Sequence, residues 1–296
     1  MAQGKGKGFI ISFAAVILII TIHLLFFSGN SKSQIEINYE FHIVESHSAE
    51  IEAFLSSLED IPNYIAFPLG NTTYQEDDLK DMLRLIVQND DEIYGSTCAF
   101  EPYKFNADSF YFAPYYYKHN DTVSYKNLGN KEYDYFSWNW YLVPKRLKKP
   151  FWTEPYFDEG GGNINLVTYS VPIFKYHDDS HEFMGVITVD MSLAWINKIV
   201  GSVKLKKGDF ALLVSKLGTV ISTDNNHKIW RLNESIFSLA EELNWTDFRA
   251  IGKKIIDGKS GFDYFTDKTG ERYLITYLPI KKSNWSFLVA VKVDKN

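Results

Sequence analysis

Apolar residues run almost unbroken from Phe9 to Phe27, with only Ser12, Thr21 and His23 between them. As a helix rising about 1.5 Å per residue this run spans roughly 28 Å, close to the hydrocarbon thickness of a bilayer. Lys5 and Lys7 precede it. The positive-inside rule then puts residues 1–8 in the cytoplasm and everything after Ser28 outside. The rival reading is a cleaved signal peptide, but the run exceeds the usual ~7–15 apolar residues and no small-x-small site follows Phe26-Phe27. The expectation is a transmembrane helix over 9–27 that anchors a periplasmic or extracellular domain to the cell (inner) membrane in a single pass.

Past the polar stretch Ser28–Ser33, apolar positions recur at three and four: Ile51, Phe54, Leu55 and Leu58 make one stripe, and a helix is expected from Ile35 toward Tyr64. A second helix is expected from near Tyr74, with Thr73 and Glu76 as a capping box and Leu79, Met82, Leu83 and Ile86 as its buried face. The period then changes to two. Ile93–Phe100, Ser109–Tyr117, Asn165–Tyr176 and Glu182–Asp190 alternate as strands between Gly, Asn and Asp clusters. Around Ala194–Lys204 the composition shifts; Trp195, Ile196, Ile199 and Val200 suggest a connecting helix stopped by Gly201. A smaller αβ unit follows. Its strands are expected at Asp209–Ser215, Thr219–Ser222, Gly261–Thr266, Arg272–Pro279 and Trp285–Val293, with a helix from Trp245 to Ile256. Two units with similar strand-rich ends suggest a divergent duplication.

The 296 residues suffice for two modest domains with real cores. A net charge of −6 without any basic block gives no reason to expect a nucleic-acid partner. Cys98 is the single cysteine, which excludes an intramolecular disulfide framework and a cysteine-based zinc cluster. Aromatic residues reach 16%, and many crowd between Tyr94 and Tyr176, more than a core requires. Here lie Tyr133, Trp138, Trp140-Tyr141, Trp152, Tyr156 and Tyr169, followed by Asp190 at the end of the apolar strand Val186–Val189. Aromatic faces with a carboxylate suit an organic cation.

Several motifs together carry a resemblance: Trp140-Tyr141 with Pro144, Trp152-x-Glu154-Pro155-Tyr156, Thr168–Pro172, Gly185–Asp190, Gly208–Val214 with Gly218–Ser222, and Tyr277–Ile280 with Trp285–Phe287. On these the chain resembles the double Cache domain, the tandem sensor found outside the membrane in bacterial and archaeal receptors. The resemblance implies an α+β fold: a transmembrane helix, then a long helix running past two tandem PAS-like modules with antiparallel sheets. It implies a membrane-distal module over 28–195 that holds the ligand, and a membrane-proximal one over 196–296. Many members carry kinase, phosphatase, cyclase or chemotaxis output after a second membrane helix. This sequence reaches Asn296 with no second apolar run, which leaves a receptor fragment and a stand-alone anchored sensor both open.

Cache modules that bind amino acids resemble this segment in a tyrosine, an arginine two before a Trp-Tyr pair, a later tyrosine and a terminal aspartate. Tyr133, Trp140, Tyr141 and Asp190 match; Tyr156 or Tyr169 could be the later tyrosine. The arginine position holds Trp138, which cannot grip a carboxylate through a bidentate fork. The expected ligand is therefore an amine or amino-acid-like cation, in a cage of Trp140, Tyr141, Tyr156 and Tyr169 with Asp190 as counter-charge. Tyr133, Trp138 and Trp152 complete the candidate site, and ring and loop packing is the bland alternative for the group. No cofactor is expected, and the long helix offers a surface for a homodimer.

Other motifs carry less. His177-Asp178-Asp179-Ser180-His181 lacks the helical spacing of a zinc motif and fits a solvated hairpin loop. Gly160-Gly161-Gly162 lacks the context of a phosphate loop and reads as a flexible lip over the pocket. The basic run Lys145, Arg146, Lys148 and Lys149 fits a solvated loop or a contact to a ligand anion. No nucleophile elbow appears, and Cys98 has no evident histidine partner, so the reading is a sensor and not an enzyme. An anchored solute-binding protein delivering its ligand to a transporter or receptor is the alternative.

Overall fold

A computed structural model describes residues 31–224 and 230–293. The apolar run 9–27 lies outside the described residues. Among those described, no helix is long and apolar enough to cross a membrane. The chain divides into a short unit, described only from Ser31 to Ile43, and a large one from Val44 onward.

The first helix, α1 (Ser31–Asn71), extends beyond the expected end at Tyr64 and passes through Pro62 and Pro68. Proline removes a helix hydrogen bond and crowds the preceding turn. Packing on both sides compensates, because Leu58, Pro62, Ala66 and Leu69 are all buried. The next helix, α2 (Glu76–Asn89), starts later than expected. Its flanking residue is Gln75, so the Thr73/Glu76 capping box does not form. Instead Glu76, Asp77 and Asp78 crowd the first turn, where carboxylates offset the helix dipole. Leu79, Leu83 and Val87 form the buried face, with Met82 and Ile86 at its flanks.

A first sheet follows, built of β1 (Gly95–Phe100), β2 (Pro114–His119), β3 (Thr122–Asn127), β4 (Phe151–Trp152), β5 (Tyr156–Phe157), β6 (Asn165–His177) and β7 (Ser180–Ser192). Its order is β3-β2-β1-β7-β6-β4, with β5 also on β6, and all pairs are antiparallel. The helix α3 (Asn139–Leu147) packs on β6 and β7. After α4 (Leu193–Gly201) comes a second sheet: β8 (Phe210–Val214), β9 (Val220–Thr223), β10 (Gly261–Thr266), β11 (Arg272–Ile280) and β12 (Trp285–Lys292). Two helices, α5 (Ile236–Glu242) and α6 (Thr246–Ile256), stand beside it. The second order is β10-β11-β12-β8-β9. Read from its other edge, β9-β8-β12-β11-β10 parallels β2-β1-β7-β6-β4: in both sheets the first strand pairs with the last. That shared topology is the structural form of the suspected duplication.

Strand alternation sorts residues between layers. On β12, Leu288 and Ala290 join the core that includes Phe248 and Ile255 of α6. Phe287 points the other way and stacks on His47 of α1 at 6.0 Å. Higher up, the Glu59 carboxylate of α1 accepts a bond from the Trp152 indole at 2.8 Å, and Asn63 and Asn71 bond to β6. The long helix thus packs against both sheets on one side of each. The other side of the first sheet is free to build a site.

Candidate functional site

That free face carries Thr97 of β1, Tyr115 of β2, and Thr188 and Asp190 of β7. With Leu128, Tyr133, Trp140, Tyr156 and Asp158 they enclose a cavity of about 10 Å³. This is about the room one water needs. The period of two explains the membership of β7: Val186, Thr188 and Asp190 share the face, and Ile187 and Val189 point toward the opposite layer. Gly95 pairs with Asp190 in register. A Cβ on Gly95 would stand 2.3 Å from the Tyr115 hydroxyl, so glycine there makes room for the Tyr115 ring.

Asp190 is buried, and its Oδ1 accepts a hydrogen bond from Thr168 Oγ1 at 2.8 Å. Thr168 Oγ1 is itself 2.8 Å from the Tyr156 hydroxyl, which makes a relay Tyr156–Thr168–Asp190. Burial, with a smaller contribution from the charge of Asp158, pushes the Asp190 carboxyl up to about 7; the bond from Thr168 and the nearby Tyr115 hydroxyl oppose this. The Tyr115 hydroxyl faces Asp190 but meets no partner in good hydrogen-bond geometry.

A second acid, Asp158, was not anticipated. It is 3% exposed and faces the same cavity. Tyr133 donates to its Oδ1 at 2.8 Å and the Gly162 amide to its Oδ2 at 2.6 Å. Burial raises its pKa, opposed by those two bonds and, more weakly, by the charge of Lys126. The glycine run after it was the available signal. A Cβ on Gly161 would lie 2.1 Å from Asp158 Oδ2, so glycine lets the backbone fold over the carboxylate. The expected flexible lip is therefore pinned. Gly162 donates to Asp158, and its carbonyl accepts from the Tyr94 hydroxyl at 3.1 Å.

The structure brings Tyr133, Trp140, Tyr156 and Asp190 to the cavity and leaves four other candidates off it. Trp138 stacks behind Tyr133 at 5.1 Å and 6°, and spends its indole N–H on the Tyr133 carbonyl. Tyr141 points elsewhere and donates to Glu101, which Lys145 also holds at 2.6 Å. Trp152 and Tyr169 lie on the α1 side of the sheet. Trp152 bonds to Glu59 and packs 5.5 Å from Trp285, and the Tyr169 hydroxyl meets Asn63. The reason is one residue of register: Thr168 faces the cavity, so its neighbour Tyr169 cannot. Of the two tyrosines left open by sequence, Tyr156 occupies the cavity.

Elsewhere, Asp178 and Asp179 form the turn between β6 and β7, and His181 packs edge-on to Phe174 at 4.9 Å. Among the described residues no cluster of three metal-ligating side chains occurs. Cys98 is buried on the α1 side, and burial raises its thiol far above the usual range.

Residues 79–198, which contain the whole first sheet and this cavity, match the family of methyl-accepting chemotaxis protein-like first PDC sensor domains. The structure is similar to the extracellular domain assigned to the histidine kinase mmHK1S-Z2, with a TM-score of 0.73 and 23% identity, covering 86% of this chain and 96% of that one. The chain has the double Cache fold. A second structural neighbour is methyl-accepting chemotaxis protein X, with TM-score 0.71, 16% identity and coverage of 89% and 100%. A third is the ligand-binding domain of the Pseudomonas aeruginosa PAO1 amino acid chemoreceptor PctC in complex with GABA, with TM-score 0.61, 16% identity and coverage of 86% and 99%. No protein of curated function matches the sequence.

Proposed function

We propose that this chain is the extracytoplasmic, membrane-anchored ligand-binding part of a signalling receptor, and that its first module binds a small organic amine. One observation carries the ligand class. Asp158 and Asp190, both buried, face a single cavity walled by Tyr133, Trp140 and Tyr156, and neither forms an ion pair among the described residues. Two carboxylates removed from water without a cation are costly, and an ammonium between them would relieve both. The rings add cation–π attraction of ~0.5–2 kcal/mol each, depending on desolvation. PctC, an amino acid chemoreceptor similar in structure, was captured with GABA, which carries an ammonium as well as a carboxylate.

The cavity's present size requires the walls to part for anything larger than water. Its Trp138 neighbourhood supplies no guanidinium for a carboxylate, so a simple amine should outcompete the matching amino acid. The exposed rings of Tyr64 and Phe67 on α1 are, in this reading, a surface for pairing two copies. Calorimetry of the purified full chain against alkylamines, tetramethylammonium and the corresponding amino acids tests the assignment. Asp190→Asn and Asp158→Asn should each weaken amine binding at least tenfold, about 1.4 kcal/mol. Silence of every amine, or unchanged affinity in both variants, would sink the reading.

A further inference from the structure

A larger open space than the Asp190 cavity exists in the first module. It lies where the β6–β7 hairpin meets the end of α1, and its volume is about 170 Å³. That is similar to the roughly 150 Å³ of an apolar protein cavity that takes benzene. A rigid frame holds it open. The Asn71 side chain inserts against β6, its Nδ2 donating to the Phe174 carbonyl at 3.1 Å and its Oδ1 accepting from the Tyr176 amide at 3.0 Å. Gly70 permits this approach, because a Cβ there would stand 2.1 Å from the Phe174 carbonyl oxygen.

The floor is apolar: Leu79 and Phe100 are buried, and Phe105 is fixed by a face-to-face stack on Phe112 at 3.7 Å. The rim is polar and cationic, with Thr73, Lys104 and Lys175. Lys104 pairs with Glu182 at 2.6 Å. Lys175 makes no ion pair or side-chain hydrogen bond with a described residue, and its charge falls on the same carboxylate that Lys104 already holds. Two ammonium groups thus share one acid beside an aromatic floor, leaving positive charge in excess where the Asp158–Asp190 cavity has negative charge in excess.

We propose that this pocket is a second small-molecule site, for a monocarboxylate with a compact apolar body. The body rests on Phe100 and Phe105, and the head pairs with Lys175 and Lys104. This assignment is independent of the amine reading of the first cavity. Benzoate is the probe, with benzyl alcohol as the uncharged control of similar shape, titrated calorimetrically into the purified full chain. Benzoate should bind one per chain and at least about tenfold tighter than benzyl alcohol, as a charge-assisted contact requires. Lys175→Gln should weaken it about tenfold, Lys175→Arg should largely restore it, and Asp190→Asn should leave it unchanged. Lys175 is exposed, so these variants keep the fold, and their melting temperatures should match the wild type. Absence of benzoate binding overturns the proposal. So does equal affinity in Lys175→Gln, and so does any change in Asp190→Asn, tighter binding above all, which would assign the anion to the first cavity.

Discussion

Asp190 has exchanged water for one hydroxyl donor, Thr168, and its pKa stands at about 7 because burial disfavours the charge. Unfolded, the same carboxyl titrates at about 4. Between those values the folded chain holds a proton that the unfolded chain has released, so this group's contribution to stability falls as pH rises through the window. The steepest loss for one proton is about 1.4 kcal/mol per pH unit. Asp190→Asn removes that titration. The variant should match the wild type near pH 4 and exceed it in stability at pH 8, as read from the difference between their denaturant-unfolding profiles. Asp158, raised in the same direction, keeps some of the slope in the variant. A difference that is flat from acid to alkaline pH would mean that Asp190 is solvated and ionised throughout. An amine needs the ionised acid, so its affinity should move the opposite way and rise with pH across the same range.

Among the elements, β6 decides which residues belong to the site and which to the scaffold. Alternation along β6 and β7 was legible in sequence, and both strands fall close to where the pattern put them. The side of the sheet was not legible, because a period of two fixes which residues agree with one another and not which face meets α1. That is why Tyr169 and Trp152 could be read as cage walls. The edge strand β3, the short β4 and β5, and the helices α3 and α5 escaped because each is brief or lacks a clean apolar period. Asp158 escaped because its glycines were read as motion, when their missing side chains serve a buried carboxylate. A consequence separates scaffold from site. Trp152→Phe deletes the indole N–H that Glu59 accepts and leaves a buried acid with only Lys282 at 3.8 Å. The cost should be ~1–3 kcal/mol. Burial already raises the Glu59 pKa, so adding Glu59→Gln should recover part of that loss. Amine affinity should stay unchanged in both proteins. A large loss of amine binding in Trp152→Phe would return Trp152 to the site.

For the whole molecule, the proposed sidedness of the chain rests on Lys5 and Lys7 before the apolar run, and the one native thiol makes it measurable. Cys98 is buried in β1 with its ionisation suppressed, so a maleimide should not reach it while the protein is folded. Introduced thiols then report alone. Asp178 sits exposed in the turn between β6 and β7, and Gln3 precedes the apolar run. In intact spheroplasts a membrane-impermeant maleimide should label Asp178→Cys and spare Gln3→Cys, which should react only after the membrane is permeabilised. Wild-type protein should stay unlabelled in both conditions and react once denatured, which confirms that the folded core shields Cys98. The reverse pattern, with Gln3→Cys labelled and Asp178→Cys protected, would put the sensor modules in the cytoplasm. Equal labelling of both from outside would mean that the chain is exported without spanning the bilayer. Only the first pattern lets a ligand outside the cell reach a site whose occupancy is read from within.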